Sequence, residues 1–181
     1  MEIILASKSP RRKELLSKEN IPFKVIPSLI EEKCEFTNVY EYAERLATLK
    51  ANDVFSSNGG VVLGADTIVC YNGQIFGKPK NKLDAINTLK FLSSKTHEVI
   101  TGFAIISKDF KYISHEVTKV TFNALSEDLI LKYVNTGSPL DKAGSYGIQD
   151  GFNLVEKIDG SLTNVIGLPI EKISQILRGI K

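Results

Sequence analysis

The sequence predicts an α/β protein with a mixed β-sheet and flanking helices, and two observations support this fold class. Short apolar, β-branched segments, which are typical of buried strands, alternate along the chain with segments of helical periodicity. The dipeptide Asn72-Gly73 joins two strand-like segments, 61–71 and 74–76, and indicates a tight antiparallel hairpin. A sheet that combines such hairpins with helical connections is mixed rather than built from a regular βαβ repeat.

Start and stop signals place the predicted elements in order along the chain. Ser9-Pro10, Asn81 and Ser126 are predicted to begin helices, Pro169 opens the last helix, and Asp150-Gly151 is the predicted turn of a second hairpin. The predicted strands span 3–6, 24–26, 61–71, 74–76, 99–106 and 117–122. The predicted helices span 10–18, 39–55, 82–92, 127–137 and the segment after 169.

The composition indicates one globular domain over residues 1–181. Of the 181 residues, 43% are hydrophobic and 24% are charged, which is ordinary for a protein with one substantial core. The 23 Lys and Arg outnumber the 21 Asp and Glu by only two, too few to cover a duplex with phosphate contacts. The chain also lacks the interleaved aromatic and basic residues of a single-strand platform. We therefore expect no nucleic-acid partner.

The cysteines and the first residues indicate a cytoplasmic protein. Cys34 and Cys70 have no CxxC spacing and no histidine at metal-site distance, so a reduced compartment fits best. The N-terminal segment becomes charged after four apolar residues, and no segment has eighteen uninterrupted apolar residues. We expect neither secretion nor membrane insertion.

The segment Ser7-Lys8-Ser9-Pro10-Arg11-Arg12 carries two arginines where a helix begins. The backbone N–H groups of a helix start bind anions, and the same dipole disfavours cations in the first turn. Arg11 and Arg12 oppose that preference. A bound phosphate would explain them, because it accepts from both amides and guanidinium groups. A pair of solvated surface arginines explains the pattern equally well.

Lys50 falls on the apolar stripe of the helix predicted at 39–55. An unpaired ammonium is costly to bury, so the side chain either extends to the rim of the core, which is the commoner outcome, or meets an anion. Glu31 and Glu32 precede this helix. Such residues usually face solvent, but beside a phosphate site the two carboxylates would suit Mg²⁺.

The segment Gly64-Ala65-Asp66-Thr67 places an aspartate inside an apolar strand. An ionised carboxylate there needs a partner or a metal, and the alternative is a hydrogen-bonded structural carboxylate. Strict hairpin register would put Lys78 on the face of Thr67 rather than on that of Asp66. We expect the second strand to end at Gly77, which would release Lys78 from this register.

Three other features identify no site by themselves. The segment 73–78 is one residue short of a P-loop, and Pro79 stands where the metal-binding Ser or Thr belongs. His97 and His115 lie in predicted strands without metal or catalytic-triad spacing, and we interpret them as structural. The polar, Gly-rich segment 141–149 suits either a ligand-binding loop or a connecting turn.

Five uncommon segments, distributed over nearly the whole chain, occur in a characteristic order. They are Ser7-Lys8-Ser9-Pro10-Arg11-Arg12, Gly64-Ala65-Asp66-Thr67, Gly77-Lys78-Pro79, the segment 141–149, and Asn164-Val165-Ile166-Gly167-Leu168-Pro169. Together they closely resemble the Maf family of nucleotide pyrophosphatases. The resemblance implies an ITPase-like α/β fold with two lobes around a central cleft, often dimeric. It also implies hydrolysis of a nucleoside triphosphate between the α and β phosphates.

The resemblance further implies roles for individual residues. Asp66 matches the catalytic proton acceptor. The residues at positions associated with substrate specificity are Arg12, Thr67 and Gln149. The residues at phosphate-binding positions are Ser7, Arg11, Arg12, Lys50 and Lys78. Glu32 and Asp66, together with substrate phosphates, would anchor Mg²⁺ or another divalent cation such as Mn²⁺.

The form of the GADT segment, with Thr67 after the aspartate, is similar to the branch of the family that acts on dTTP and UTP. The chain departs from the common pattern at Asp150-Gly151-Phe152 and at Leu162-Thr163, changes that concern base recognition rather than phosphate chemistry. One alternative is the same reaction on 7-methyl-GTP or non-canonical purine nucleotides. Another is a non-catalytic nucleotide-binding regulator of cell division, and the choice between nucleotide-pool cleaning and division control stays open.

Overall fold

Seven strands and six α-helices are found among the residues that the computed structural model describes, which are 2–31, 35 and 38–180. The strands are β1 (Ile3–Leu5), β2 (Phe23–Val25), β3 (Val61–Tyr71), β4 (Gln74–Phe76), β5 (Thr96–Ile106), β6 (Lys111–Phe122) and β7 (Val155–Asp159). The helices are α1 (Pro10–Ser17), α2 (Val39–Asn58), α3 (Lys82–Leu92), α4 (Glu127–Asn135), α5 (Leu162–Ile166) and α6 (Ile170–Gly179). None of these helices is both long and apolar enough to cross a membrane.

The strands form one mixed sheet in the order β2-β1-β3-β5-β6-β7, with β4 paired to β3. Strand β1 is parallel to both β2 and β3, whereas β4 runs antiparallel to β3 and β7 runs antiparallel to β6. Asn72 and Gly73 have φ angles of 48° and 80°, the left-handed values that a two-residue type I′ turn requires. The predicted fold class and the first hairpin are confirmed.

Several predicted elements need correction, and one helix has no predicted counterpart. Strand β2 lies one residue earlier than predicted, and β5 and β6 begin three and six residues earlier than the predicted strands 99–106 and 117–122. The short helix α5 was not anticipated. The hairpin predicted at Asp150-Gly151 is wrong, because the described residues 138–154 contain no strand and β7 pairs with β6 instead. Gly151 does adopt a turn conformation, with φ of 78°. Two short 3₁₀ helices, Ser138–Asp141 and Ala143–Ser145, occupy the segment before it.

Polar side chains cap the first turns of four helices. Ser9, Asn81 and Ser126 accept hydrogen bonds from backbone N–H groups in the first turns of α1, α3 and α4, as predicted. Asn38 caps α2 in the same way by accepting from the backbone of Glu41. The starts of α1 and α2, and hence the positions of their side chains along each helix, are therefore fixed by local chemistry.

The chain divides into two compact units. The first comprises Met1–Thr67, Thr101–Glu116 and Thr163–Lys181, and the second comprises Ile68–Ile100 and Val117–Leu162. Strands β3, β5 and β6 each contribute residues to both units. One domain over residues 1–181 stays a prediction.

Because successive side chains of a strand point to opposite faces of the sheet, the core of the first unit forms two clusters, one on each face. One face packs against α1 and α6 through Ile3, Leu5, Leu15, Leu16, Leu63, Ala65, Phe103, Ile105, Leu168, Ile170, Ile173 and Leu177. The other packs against α2 through Ile4, Ala6, Ala47, Ala51, Val54, Val62, Ala104 and Ile106. By the same alternation, Asp66 belongs to the α2 face and Thr67 to the opposite face.

Helix α2 lies very close to the sheet because small residues meet at the contact. A Cβ atom built on Gly102 would lie 2.2 Å from the carbonyl oxygen of Ala43. One built on Gly64 would lie 2.3 Å from the carbonyl oxygen of Ala47 and 2.8 Å from the backbone nitrogen of Ala51. Only glycine permits this approach. The contact brings the turn of α2 between residues 47 and 51 directly onto β3.

Candidate active site

A buried ion pair between Lys50 and Asp66 is the centre of the candidate site in the first unit. Lys50 Nζ donates to Asp66 Oδ1 at 2.5 Å, and the two side chains are only 12% and 11% exposed. Strand alternation directs Asp66 toward α2, and the close helix–sheet contact brings Lys50 within reach. Contact with an anion, one of the two outcomes expected for Lys50, is therefore observed. Asp66 likewise has the partner that a carboxylate in an apolar strand requires.

On the opposite face of β3, Arg12 joins three segments of the first unit. Its guanidinium group donates to the carbonyl oxygen of Gly167 at 2.8 Å, to Ser7 Oγ at 3.2 Å and to Thr67 Oγ1 at 3.0 Å. Arg12 is buried, and its planar fork of donors suits several acceptors at fixed angles. Three predicted site residues, Ser7, Arg12 and Thr67, are thus brought together by direct hydrogen bonds.

Thr101, which belongs to none of the five segments, is also part of this network. Thr101 Oγ1 lies 2.9 Å from Thr67 Oγ1 and donates to the carbonyl oxygen of Asn164 at 3.1 Å. The available signal for Thr101 is a polar side chain inside an apolar strand. Asn164 and Gly167 belong to the last of the five segments that carry the family resemblance, but only the tertiary structure identifies their carbonyl groups as hydrogen-bond partners.

The remaining predicted site residues are Arg11, Lys78, Gln149 and Glu32. Arg11 is partly buried on α1, beside Arg12 in sequence. Lys78 and Gln149 are exposed residues of the second unit. Strand β4 ends at Phe76, so Lys78 is released from the hairpin register, as expected. Glu32 lies outside the described residues. The phosphate, specificity and metal roles of these residues stay predictions.

The divalent cation stays a prediction, and the carboxylate of Asp66 is a group whose chemistry would suit it. Among the described residues there is no group of three or more His, Cys, Asp or Glu that could form a metal cage. Mg²⁺ commonly uses one or two carboxylates, several waters and substrate phosphates instead. Lys50 binds one of the two oxygens of Asp66, and a carboxylate has acceptor capacity on both.

In the second unit, His97 and Tyr146 anchor the Gly-rich segment that contains Gln149. His97 Nε2 lies 2.9 Å from the Tyr146 hydroxyl, and the ring of Phe122 packs edge-on against both rings. His97 is 1% exposed. Burial lowers the pKa of His97 from 6.5 to about 4, so the imidazole is neutral at physiological pH. The enclosed setting of His97 agrees with the interpretation of this histidine as a structural residue.

Acid should destabilise the protein through His97. As pH falls, the unfolded chain takes up this proton first, because its histidine pKa is near 6.5 whereas the folded value is about 4. The stability that the neutral ring provides is complete above pH ~6.5 and is lost between pH ~6.5 and ~4, by up to about 3 kcal/mol. The free energy of unfolding, measured with urea across this pH range, should fall more steeply with falling pH in the wild type than in His97→Gln. A wild-type profile parallel to that of His97→Gln would contradict this account.

The chain is similar to three proteins named dTTP/UTP pyrophosphatase. The one from Thermosipho africanus is 52% identical over 178 residues, which are 98% of this chain and 92% of the relative. The one from Alkaliphilus oremlandii is 50% identical over 183 residues, covering 98% and 95% of the two chains. The one from Aquifex aeolicus is 45% identical over 180 residues, with coverage of 98% and 95%.

Two solved structures share the fold at much lower identity. The Ham1 protein of Staphylococcus aureus matches with a TM-score of 0.59 and 12% identity over 100% of both chains. The HAM1 protein of Coxiella burnetii matches with a TM-score of 0.57 and 19% identity over 99% of both chains. At these identities the likeness concerns the fold alone, and it agrees with the mixed-sheet α/β architecture. The Maf-like protein family matches residues 2–180, and on this match and the identities above the chain belongs to that family.

Proposed function

We propose that this chain hydrolyses dTTP and UTP to the nucleoside monophosphate and pyrophosphate, assisted by Mg²⁺ or Mn²⁺. The observation that carries the proposal is the largely buried ion pair in a Maf-like chain between Lys50 of α2 and Asp66 of the GADT segment. Relatives that are 52% and 50% identical over nearly the full length bear the name of this activity. They support dTTP and UTP over 7-methyl-GTP and non-canonical purine nucleotides.

Asp66 acts as the general base in this proposal. In the ion pair it is a carboxylate, the form that accepts a proton. It takes a proton from a water molecule whose oxygen forms a bond to the α-phosphorus. The bond between that phosphorus and the α–β bridging oxygen breaks, and pyrophosphate leaves with the electron pair. The proton on Asp66 then returns to solvent.

Positive charge around the phosphates lowers the barrier of this step. Phosphoryl transfer depends mainly on positioning and charge neutralisation, and Lys50 is a buried cation placed directly at the base. Arg11 and Lys78 are proposed to bind phosphate oxygens as well, and the Arg12–Ser7 pair belongs to the same phosphate-binding set. When bound, a divalent cation at Asp66 and Glu32 would neutralise phosphate charge further.

The products of hydrolysis, and the position of the incoming oxygen, test the proposal. Purified protein is incubated with dTTP, UTP, 7-methyl-GTP and ITP in H₂¹⁸O with Mg²⁺ or Mn²⁺. We expect dTTP and UTP to give monophosphate plus pyrophosphate, with ¹⁸O in the monophosphate, because attack is at the α-phosphorus. Label in pyrophosphate would place the attack at the β-phosphorus, and orthophosphate plus a diphosphate would reject the reaction.

The same panel separates the competing functions. A preference for 7-methyl-GTP or ITP would keep the chemistry and overturn the substrate assignment. Binding of nucleotides without turnover under either metal would favour the non-catalytic regulator. Inactivation by Asp66→Asn is the control that assigns measured turnover to this site rather than to a contaminating phosphatase.

Compartment and assembly belong to the same proposal. A reduced cytoplasm is proposed from the cysteine spacing, and Cys70 is a free and buried thiol whose pKa is raised by burial. A homodimer is proposed from the family resemblance alone, and light scattering coupled to size-exclusion chromatography would measure the oligomeric state.

A further inference from the structure

A buried polar network in the second unit surrounds the segment that carries Gln149. The hydroxyl of Tyr133 donates to Asp150 Oδ2 at 2.6 Å and accepts from the backbone N–H of Gly147 at 2.8 Å. Tyr133 is fully buried on α4. Burial, together with the hydrogen bond to Asp150, raises the pKa of Tyr133, so the hydroxyl keeps the proton that it donates. One side chain therefore holds both ends of the segment 147–150.

Two further residues complete this arrangement, which we name the Tyr133 network: Tyr133, Ser138, Lys142 and Asp150. Ser138 Oγ donates to Asp150 Oδ2 at 2.7 Å and accepts from Lys142 Nζ at 2.9 Å. Lys142 Nζ also donates to the Ser138 carbonyl oxygen at 2.5 Å and to Asp141 Oδ1 at 2.9 Å, and it lies 3.5 Å from Asp150 Oδ2. The carboxylate of Asp150 thus meets two hydroxyl donors and a nearby buried ammonium.

The network packs directly against the backbone of the segment that it holds. A Cβ atom on Gly147 would lie 2.7 Å from Lys142 Cε and 2.9 Å from both carboxylate oxygens of Asp150. Asp150, whose side chain is 13% exposed, immediately follows Gln149, an exposed residue. The backbone next to Gln149 is therefore held by buried side chains, while Gln149 itself is exposed.

We propose that Tyr133 is a positioning residue that orients Gln149 for base selection by fixing Asp150 and Gly147. This inference rests on the proposed function, in which Gln149 helps to choose the base. Asp150 accepts hydrogen bonds from both Tyr133 and Ser138, contacts that a residue without a side-chain acceptor could not make.

Tyr133→Phe tests the inference because it removes one hydroxyl and retains the ring. We expect KM for dTTP to rise about fivefold, the usual weight of one hydrogen bond, with kcat changed less than twofold because the chemical groups are untouched. The ratio of kcat/KM for dTTP over dCTP, two pyrimidines with different hydrogen-bonding edges, should fall by a similar factor. Tyr112→Phe, a tyrosine of the first unit outside the network, is the matched control and should leave this ratio unchanged.

The variant Tyr133→Phe is then combined with Gln149→Ala. If Tyr133 acts through Gln149, the tyrosine substitution should change the dTTP/dCTP ratio less than twofold in the Gln149→Ala background. Asp150→Asn should lower the ratio in the same direction and provides the test if Tyr133→Phe fails to fold. An unchanged dTTP/dCTP ratio in Tyr133→Phe, even with a lowered melting temperature, would overturn the inference. Full additivity of Tyr133→Phe and Gln149→Ala in their effects on that ratio would also overturn it. Neither outcome would affect the proposed function. Wild-type protein that cleaves neither dTTP nor UTP would overturn the proposed function, and this inference with it.

Discussion

Asp66→Asn should lower kcat by about 10²-fold or more, the usual contribution of a positioned base. Asparagine keeps the shape of the side chain and an oxygen for Lys50 to donate to, but it cannot accept the proton of the attacking water. Fold and nucleotide binding should therefore persist. The measurements are steady-state turnover of dTTP, calorimetric binding in the absence of turnover, and the thermal melting temperature.

The metal dependence of the Asp66→Asn variant separates two roles for this carboxylate. A missing base is not restored by raising Mg²⁺ or Mn²⁺, whereas a missing metal ligand recovers much of its rate. Asp53→Asn removes a carboxylate on α2 that binds Ser28 and the backbone of Leu29, so it controls for the loss of charge alone. Near-normal turnover of Asp66→Asn at ordinary Mg²⁺ would reject both roles and leave Asp66 as a structural partner of Lys50.

Local chemistry was sufficient to predict much of the fold. The hairpin at Asn72-Gly73 and the caps at Ser9, Asn81 and Ser126 depend on residues adjacent in sequence, and all are observed. The prediction of a second hairpin at Asp150-Gly151 is wrong because the structure there depends on residues that are distant in sequence. Gly151 turns the chain as its residue type suggests, but long-range side-chain bonds, rather than a strand ladder, hold the segment before it.

The candidate site could be predicted only in part, because its pairings are tertiary. A buried lysine and a buried aspartate each predict an unknown partner, and only the packing of α2 on β3 shows that Lys50 and Asp66 satisfy one another. Arg11 and Arg12 violate the same helix-start preference, yet Arg12 alone is buried and bonded to Ser7 and Thr67. Neighbouring residues on a helix point about 100° apart, so the local pattern cannot show which of them enters the core.

Gly64→Ala should destabilise the protein and impair catalysis together. The new Cβ would meet the backbone of α2 at 2.3 Å from the Ala47 carbonyl oxygen and 2.8 Å from the Ala51 nitrogen, so the helix itself must move. Forcing a methyl group into such a contact costs roughly 3 kcal/mol, at the upper end of ordinary overpacking. For a chain of this length that corresponds to a fall in melting temperature of about 6–12 °C. Lys50 lies in the displaced turn, so its contact with Asp66 should lengthen as well.

Thermal melting and dTTP turnover of Gly64→Ala, measured well below both melting temperatures, test this coupling. Gly179→Ala is the matched control, since a Cβ there has no neighbour within 4 Å among the described residues, and it should leave melting and turnover near wild type. We expect kcat/KM of folded Gly64→Ala to fall on the order of tenfold or more, because a displacement of about 1 Å at a charged catalytic pair slows the reaction strongly. A melting temperature equal to that of Gly179→Ala would show that α2 accommodates the methyl group. A lowered melting temperature with unchanged dTTP turnover would show instead that α2 moves without disturbing the Lys50–Asp66 pair. The close α2–β3 contact would then have no role in catalysis.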